Sequence, residues 1–187
     1  MEKNRSFIAG FTLAFCGIFN LNSCVSIPKN AKPFENFEVN RYLGTWFEIA
    51  RFDFRFEKNL DNTAAQYSLD SRGNVKLLNS GHNFKTGKWR SAEGVAKFRK
   101  NKTTAALKVS FFGPFYSGYN VIALDSNYQY ALIAGNNLDY LWFLSRTKTM
   151  PEDIKKDYLR IAQELGYDTS KLIWVKQDKE SPFEYEK

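Results

Sequence analysis

Tyr42-Leu43-Gly44-Thr45-Trp46-Phe47-Glu48-Ile49-Ala50-Arg51-Phe52 is the stretch that decides the fold. Gly44 breaks the preceding chain, and the aromatic and β-branched residues after it favour an extended strand over a helix. Successive side chains of a strand point to opposite faces, so Trp46, Glu48, Ala50 and Phe52 are expected on one face.

Moving outward, similar apolar runs recur at residues 63–69, 75–84, 88–98, 104–112, 118–124, 130–134 and 140–145. Turn residues separate them: Asp70-Ser71-Arg72-Gly73-Asn74, Lys85-Thr86-Gly87, Lys100-Asn101-Lys102, Gly113-Pro114, Asp125-Ser126-Asn127 and Gly135-Asn136-Asn137. Links this short join antiparallel neighbours. Eight such runs predict an all-β protein, an eight-stranded antiparallel up-and-down barrel whose closure removes both exposed edges; an open sandwich is the alternative.

One segment reads as a helix, expected to pack outside the barrel. Thr149 can cap it, Pro151 suits its first turn, Glu152 and Asp153 complement its dipole, and Gly166 ends it. Ile154, Tyr158, Ile161 and Leu165 share one face. A last short strand is expected at residues 172–175, followed by a charged, loose tail from residue 178.

Composition agrees. Among 187 residues there are 17 Phe, 10 Tyr and 4 Trp, a load that suits strands and apolar pockets. One histidine, His82, and two cysteines, Cys16 and Cys24, give almost no material for a His/Cys metal site, and no cofactor is expected.

The N-terminus has the pattern of an export signal: basic Lys3 and Arg5, then a mostly apolar stretch over residues 7–19, too short to span a bilayer permanently. Leu21-Asn22-Ser23-Cys24 resembles the bacterial lipoprotein signal, although Asn22 is more polar than that pattern usually carries. The resemblance implies cleavage after Ser23, acylation of Cys24 and, with no Asp following it, an outer-membrane destination. Residues 1–23 are then the signal, 24–36 the lipidated N-terminus and a stand-off linker, and 37–187 the folded domain.

Gly44-Thr45-Trp46 at the start of the first strand and Leu144-Ser145-Arg146 at the end of the eighth, followed by a helix, resemble the lipocalin layout. Residues 42–52 and Val109-Ser110-Phe111-Phe112-Gly113-Pro114-Phe115-Tyr116 resemble the bacterial members. The resemblance implies that Gly44, Trp46 and Arg146 are structural, with the arginine across the tryptophan ring at the closed base. Ligand contact is expected from Glu48 and Ala50 on the first strand, Asn79 on the third, Tyr116 and Tyr119 around the Gly113-Pro114 break, and Trp142 on the eighth. A carboxylate such as Glu48 inside an apolar barrel needs a partner or a raised pKa.

The resemblance further implies fatty acids or lysophospholipids as ligands, storage or transport of membrane lipids as the role, and a possible homodimer, although no self-complementary patch is visible. The competing classes have less behind them. An enzyme would need His82, expected at the surface or rim, as its base, and no Gly-x-Ser-x-Gly is present. The net charge of +7 comes from basic residues interleaved with acids, without a nucleic-acid motif. An envelope protein whose barrel is filled by its own side chains, acting through protein partners, remains an alternative.

Overall fold

A computed structural model describes residues 26–183, so the signal and Cys24 lie outside the described residues. After a one-turn helix α1 (Val39–Tyr42) come β1 (Gly44–Phe52), β2 (Leu60–Leu69), β3 (Val75–Asn83), β4 (Lys88–Phe98), β5 (Ala106–Phe112), β6 (Phe115–Leu124), β7 (Tyr130–Ala134) and β8 (Leu141–Ser145). Helix α2 (Glu152–Glu164), a 3-10 turn (Thr169–Lys171) and β9 (Leu172–Trp174) follow. Every neighbouring pair is antiparallel, and β1 bonds to β8 as well as to β2, which closes the eight strands into a barrel.

The start of β1 lies at the closed end, together with the links after β2, β4 and β6. The opposite, open end carries residues 53–59, 84–87, 113–114 and 135–140. Inside the barrel, Trp46, Tyr42, Tyr67, Leu77, Val109, Val121, Ile133 and Leu144 form one apolar cluster. A second cluster lies outside, where Ile49, Ala50, Phe52, Leu132 and Phe143 pack against Tyr158 and Ala162 of α2.

The closed end is clamped by one side chain. The Arg146 guanidinium carbon sits 3.9 Å from the Trp46 ring centre. Its nitrogens donate to the carbonyls of Thr45 at 2.8 Å, Arg41 at 2.8 Å and Tyr128 at 3.2 Å, tying α1, β1 and the link after β6 together. Trp46, fully buried, donates its indole N–H to the Tyr42 carbonyl at 2.8 Å. Gly44 has φ of 91°, a left-handed conformation that favours glycine, and a β-carbon there would stand 3.4 Å from Arg146 Nη1.

Four local expectations need correction. Ala50 does not face the interior. β1 carries a bulge between Glu48 and Ala50, and the inserted residue reverses the alternation, so Ala50 and Phe52 turn toward α2 and Arg51 turns inward. Pro151, not Thr149, is the N-cap of α2; the Thr149 carbonyl instead accepts from the hydroxyls of Ser145 and Thr147.

The presumed linker is also bonded to the barrel. Phe34 donates its N–H to the Val121 carbonyl and accepts from Ala105, Glu35 bridges to Thr104, and the Ser26 hydroxyl donates to the Asn136 carbonyl at 2.7 Å. Nor is the chain after β9 loose up to residue 180. β1 and β2 part beyond Phe47↔Ala64, and β9 takes over the freed edge of β1. Gln177 then bridges the gap, its amide donating to the carbonyls of Glu48 at 2.9 Å and Thr63 at 2.8 Å. The Lys179 N–H donates to Asn62, and Lys148 pairs with Glu180.

Replacing Arg146 by Ala removes the ring contact and leaves three carbonyls without their donor, and should destabilise the fold by about 2–4 kcal/mol. Chemical denaturation checks this, with Tyr116→Ala expected within about 0.5 kcal/mol of wild type as a surface control.

Candidate functional site

The barrel interior is layered. Nearest the base, the Tyr42 and Tyr67 hydroxyls lie 2.6 and 2.9 Å from that of Tyr119. Burial pushes all three phenols well above their ordinary pKa, so they stay neutral. They share their protons in a network within the apolar floor. Phe37, Tyr42, Tyr67, Val109 and Tyr119 line a cavity of about 10 Å³ there. That is close to the space of one water.

Above this floor sits a charged layer. Glu48 and Arg51, three residues apart, would project from opposite faces of a regular strand; the β1 bulge turns both inward. Arg51, with its side chain 1% exposed, donates to Glu48 Oε1 at 2.9 Å. Its other nitrogens reach the loop between β1 and β2 and the first residue of β2: Nη2 donates to the carbonyls of Glu57 at 2.8 Å and Leu60 at 2.9 Å, and Nε lies 3.5 Å from Glu57 Oε2.

This loop is a lid. Glu57 folds inward and accepts from the Trp142 indole N–H at 3.3 Å. Phe54 stands edge-on to Trp142 at 5.5 Å and to Tyr140 at 5.7 Å, while those two rings stack on each other at 6.2 Å. Burial raises the pKa of both carboxyls; Arg51 opposes the rise at each, and Glu48 adds to it at Glu57. Two buried carboxyls facing one guanidinium oppose ionisation of both, and the rise is the larger at Glu57, where burial and the Glu48 carboxyl act together.

Of the residues singled out in the sequence, Glu48, Asn79, Tyr119 and Trp142 face the interior. Asn79 pairs in register with Ala65 and Ala92, and its Oδ1 is buried without a hydrogen-bond donor. A polar atom in that state is ready to accept from a guest. Ala50 lies under α2, as described above. Tyr116 lies outside: it shares a face of β6 with Gly118 and Asn120, opposite to Tyr119, and Lys108 Nζ sits 4.9 Å over its ring.

His82 is buried rather than exposed. It lies on the face of β3 opposite Leu77 and Asn79, 2.8 Å from Asp61 Oδ1 and edge-on to Trp89. Arg51, Glu57, Phe54 and the tyrosines at 42 and 67 escaped the sequence reading. The available signal was a second charge, at position 51, of opposite sign to Glu48 in the same mostly apolar run.

The lipocalin-like domain model matches residues 37–177. Among curated proteins, the outer membrane lipoprotein Blc of Citrobacter freundii is 50% identical over 170 residues, covering 91% of this chain and 95% of that protein. Its namesake in Escherichia coli (strain K12) is 52% identical over 150 residues, covering 80% and 85%. Among solved structures, insecticyanin from the tobacco hornworm Manduca sexta superposes with a TM-score of 0.66 at 22% identity, over 81% of this chain and 87% of that one.

A carboxyl whose pKa is raised on folding stabilises the fold below its unfolded value, and that contribution is lost as pH rises through its folded value. Glu57→Gln is neutral at every pH. Its melting temperature relative to wild type should therefore climb as pH rises above the ordinary carboxylate range; thermal unfolding of both proteins over a pH series checks it, and a constant difference would contradict the raised pKa of Glu57.

Proposed function

Because the chain belongs to the lipocalin family, we propose that it is a lipid carrier of the bacterial outer membrane, holding a fatty acid or lysophospholipid in the barrel and performing no catalysis. Lipocalins bind small hydrophobic ligands. The location is supported by the names of the bacterial relatives and by the Leu21-Asn22-Ser23-Cys24 signal, with Cys24 as the acylated residue. Two or more acyl chains on one residue suffice for stable attachment.

The observation that carries the ligand reading is the lid. Residues 53–59 fill the mouth with an aromatic ring and a carboxyl, Phe54 over Trp142 and Glu57 beside Arg51, and are held to the strands by contacts that can exchange. An acyl chain replacing Phe54 gains about 0.8 kcal/mol per buried methylene. A carboxylate or phosphate replacing Glu57 meets Arg51. Glu48, Asn79, Tyr119 and Trp142 are the proposed ligand-facing side chains.

A second reading has one observation in its favour. The 10 Å³ cavity at the floor is far smaller than an acyl chain, as in a barrel that is filled by its own side chains and acts through protein partners.

Native mass spectrometry separates the two readings. The chain from Ser26 onward, delipidated and offered fatty acid, lysophospholipid and diacyl phospholipid, should retain a single-chain lipid one to one. Retention of none would favour the filled barrel. Trp142→Ala should weaken retention on the order of tenfold, whereas Tyr116→Ala, outside the barrel, should leave it unchanged.

A further inference from the structure

Apart from Ile173 and Trp174 on β9 at the barrel's side and Leu69 at the closed end, the large apolar side chains left in solvent among the described residues gather at one end. Phe56 is 72% exposed, Phe84 55%, Phe112 68%, Phe115 74% and Leu138 41%. They belong to all four connections of the open end: Phe56 to the lid, Phe84 to the link after β3, Phe112 and Phe115 to either side of Gly113-Pro114, and Leu138 to the link after β7. Phe56 and Phe112 meet across two of these connections, with ring centres 6.4 Å apart. At the closed end, the exposed large apolar side chain among the described residues is Leu69.

The charge around this crown has a sign. Arg55, Lys58, Lys85 and Lys88 are exposed around it against Asp53 and Asp139, while Glu57 is turned into the barrel. The described chain also begins at this end. Ser26 hydrogen-bonds to Asn136 in the link after β7, at this same rim.

We propose that the open end is a bilayer-docking surface, with Phe56, Phe112 and Phe115 seated among the acyl chains and the surrounding lysines and arginines on anionic headgroups. Solvent-exposed aromatic patches of this kind mark contact with a partner surface. A bilayer fits this one because its apolar tips share a single end and carry cations beside them, the arrangement that suits an interfacial anchor. Docking aims the mouth at the lipid from which a ligand would come. The proposal rests on the membrane location argued above, but the two fail separately, because the experiment supplies the bilayer whatever the location in the cell.

The test is hydrogen exchange on the full chain, purified as the cell processes it, with and without vesicles of phosphatidylethanolamine and phosphatidylglycerol. Exchange in segments 53–59, 111–116 and 135–140 should slow on the order of tenfold with vesicles, while 70–74 and 99–104 stay unchanged. The triple variant Phe56→Ser, Phe112→Ser, Phe115→Ser alters exposed side chains, and its wild-type melting temperature would show that it folds; it should lose the protection. Protection at the closed end, protection nowhere, or protection that the triple variant keeps would overturn the proposal. So would open-end protection that appears without vesicles and grows with protein concentration, which would mean that a second copy covers the crown.

Discussion

The Arg146 guanidinium over Trp46 is the contact on which the rest of the structure depends. A barrel needs its first and last strands brought together from opposite ends of the domain, and this one residue, immediately after β8, reaches the carbonyls of Thr45, Arg41 and Tyr128 while covering the ring of Trp46. Seated partly out of water, the cation meets aromatic face and carbonyl oxygen instead of solvent, where such contacts are strongest. The result is polarity along the barrel axis. One end is stitched shut by backbone carbonyls, and the loop at residues 53–59 covers the other.

The second organising feature is the bulge in β1. It lets a single strand serve two cores, sending Trp46 and Glu48 inward and Ile49, Ala50 and Phe52 outward to α2. The same shift brings Arg51 inside. Without it Glu48 would be a lone buried carboxylate, an arrangement too costly to keep ionised. With it the interior acquires a cation that can hold an acidic group supplied either by the lid or by a guest.

The strands were legible in the sequence because their cause is local. Alternating apolar residues between turn-formers mark β1, β4 and β7 to the residue, and the barrel follows from short links and the need to cover edges. Side-chain direction was less legible. It survives counting by twos only until a bulge intervenes, and bulges are set by the partner strands: pairing with β8 put Ala50 outside and Arg51 inside. The lid has no periodicity at all, so nothing in residues 53–59 announced that Phe54 and Glu57 would fold inward. The strap at residues 26–36 and the stretch after β9 looked like linkers because they are polar, yet their backbones are bonded into the barrel wall.

The seam between β1 and β2 has a consequence for the order of events as the chain is made. β1 finds β2 almost at once, but its remaining edges are satisfied by β8 and β9, and the gap is bridged by Gln177. Those partners come after the other seven barrel strands along the chain. Until they emerge, the first strand has hydrogen-bonding groups with no permanent match, and contacts spanning most of the domain must wait for its far end. The sheet of this protein therefore stays unfinished until β8, β9 and Gln177 have been made, and these later segments complete the wall that its first strand began.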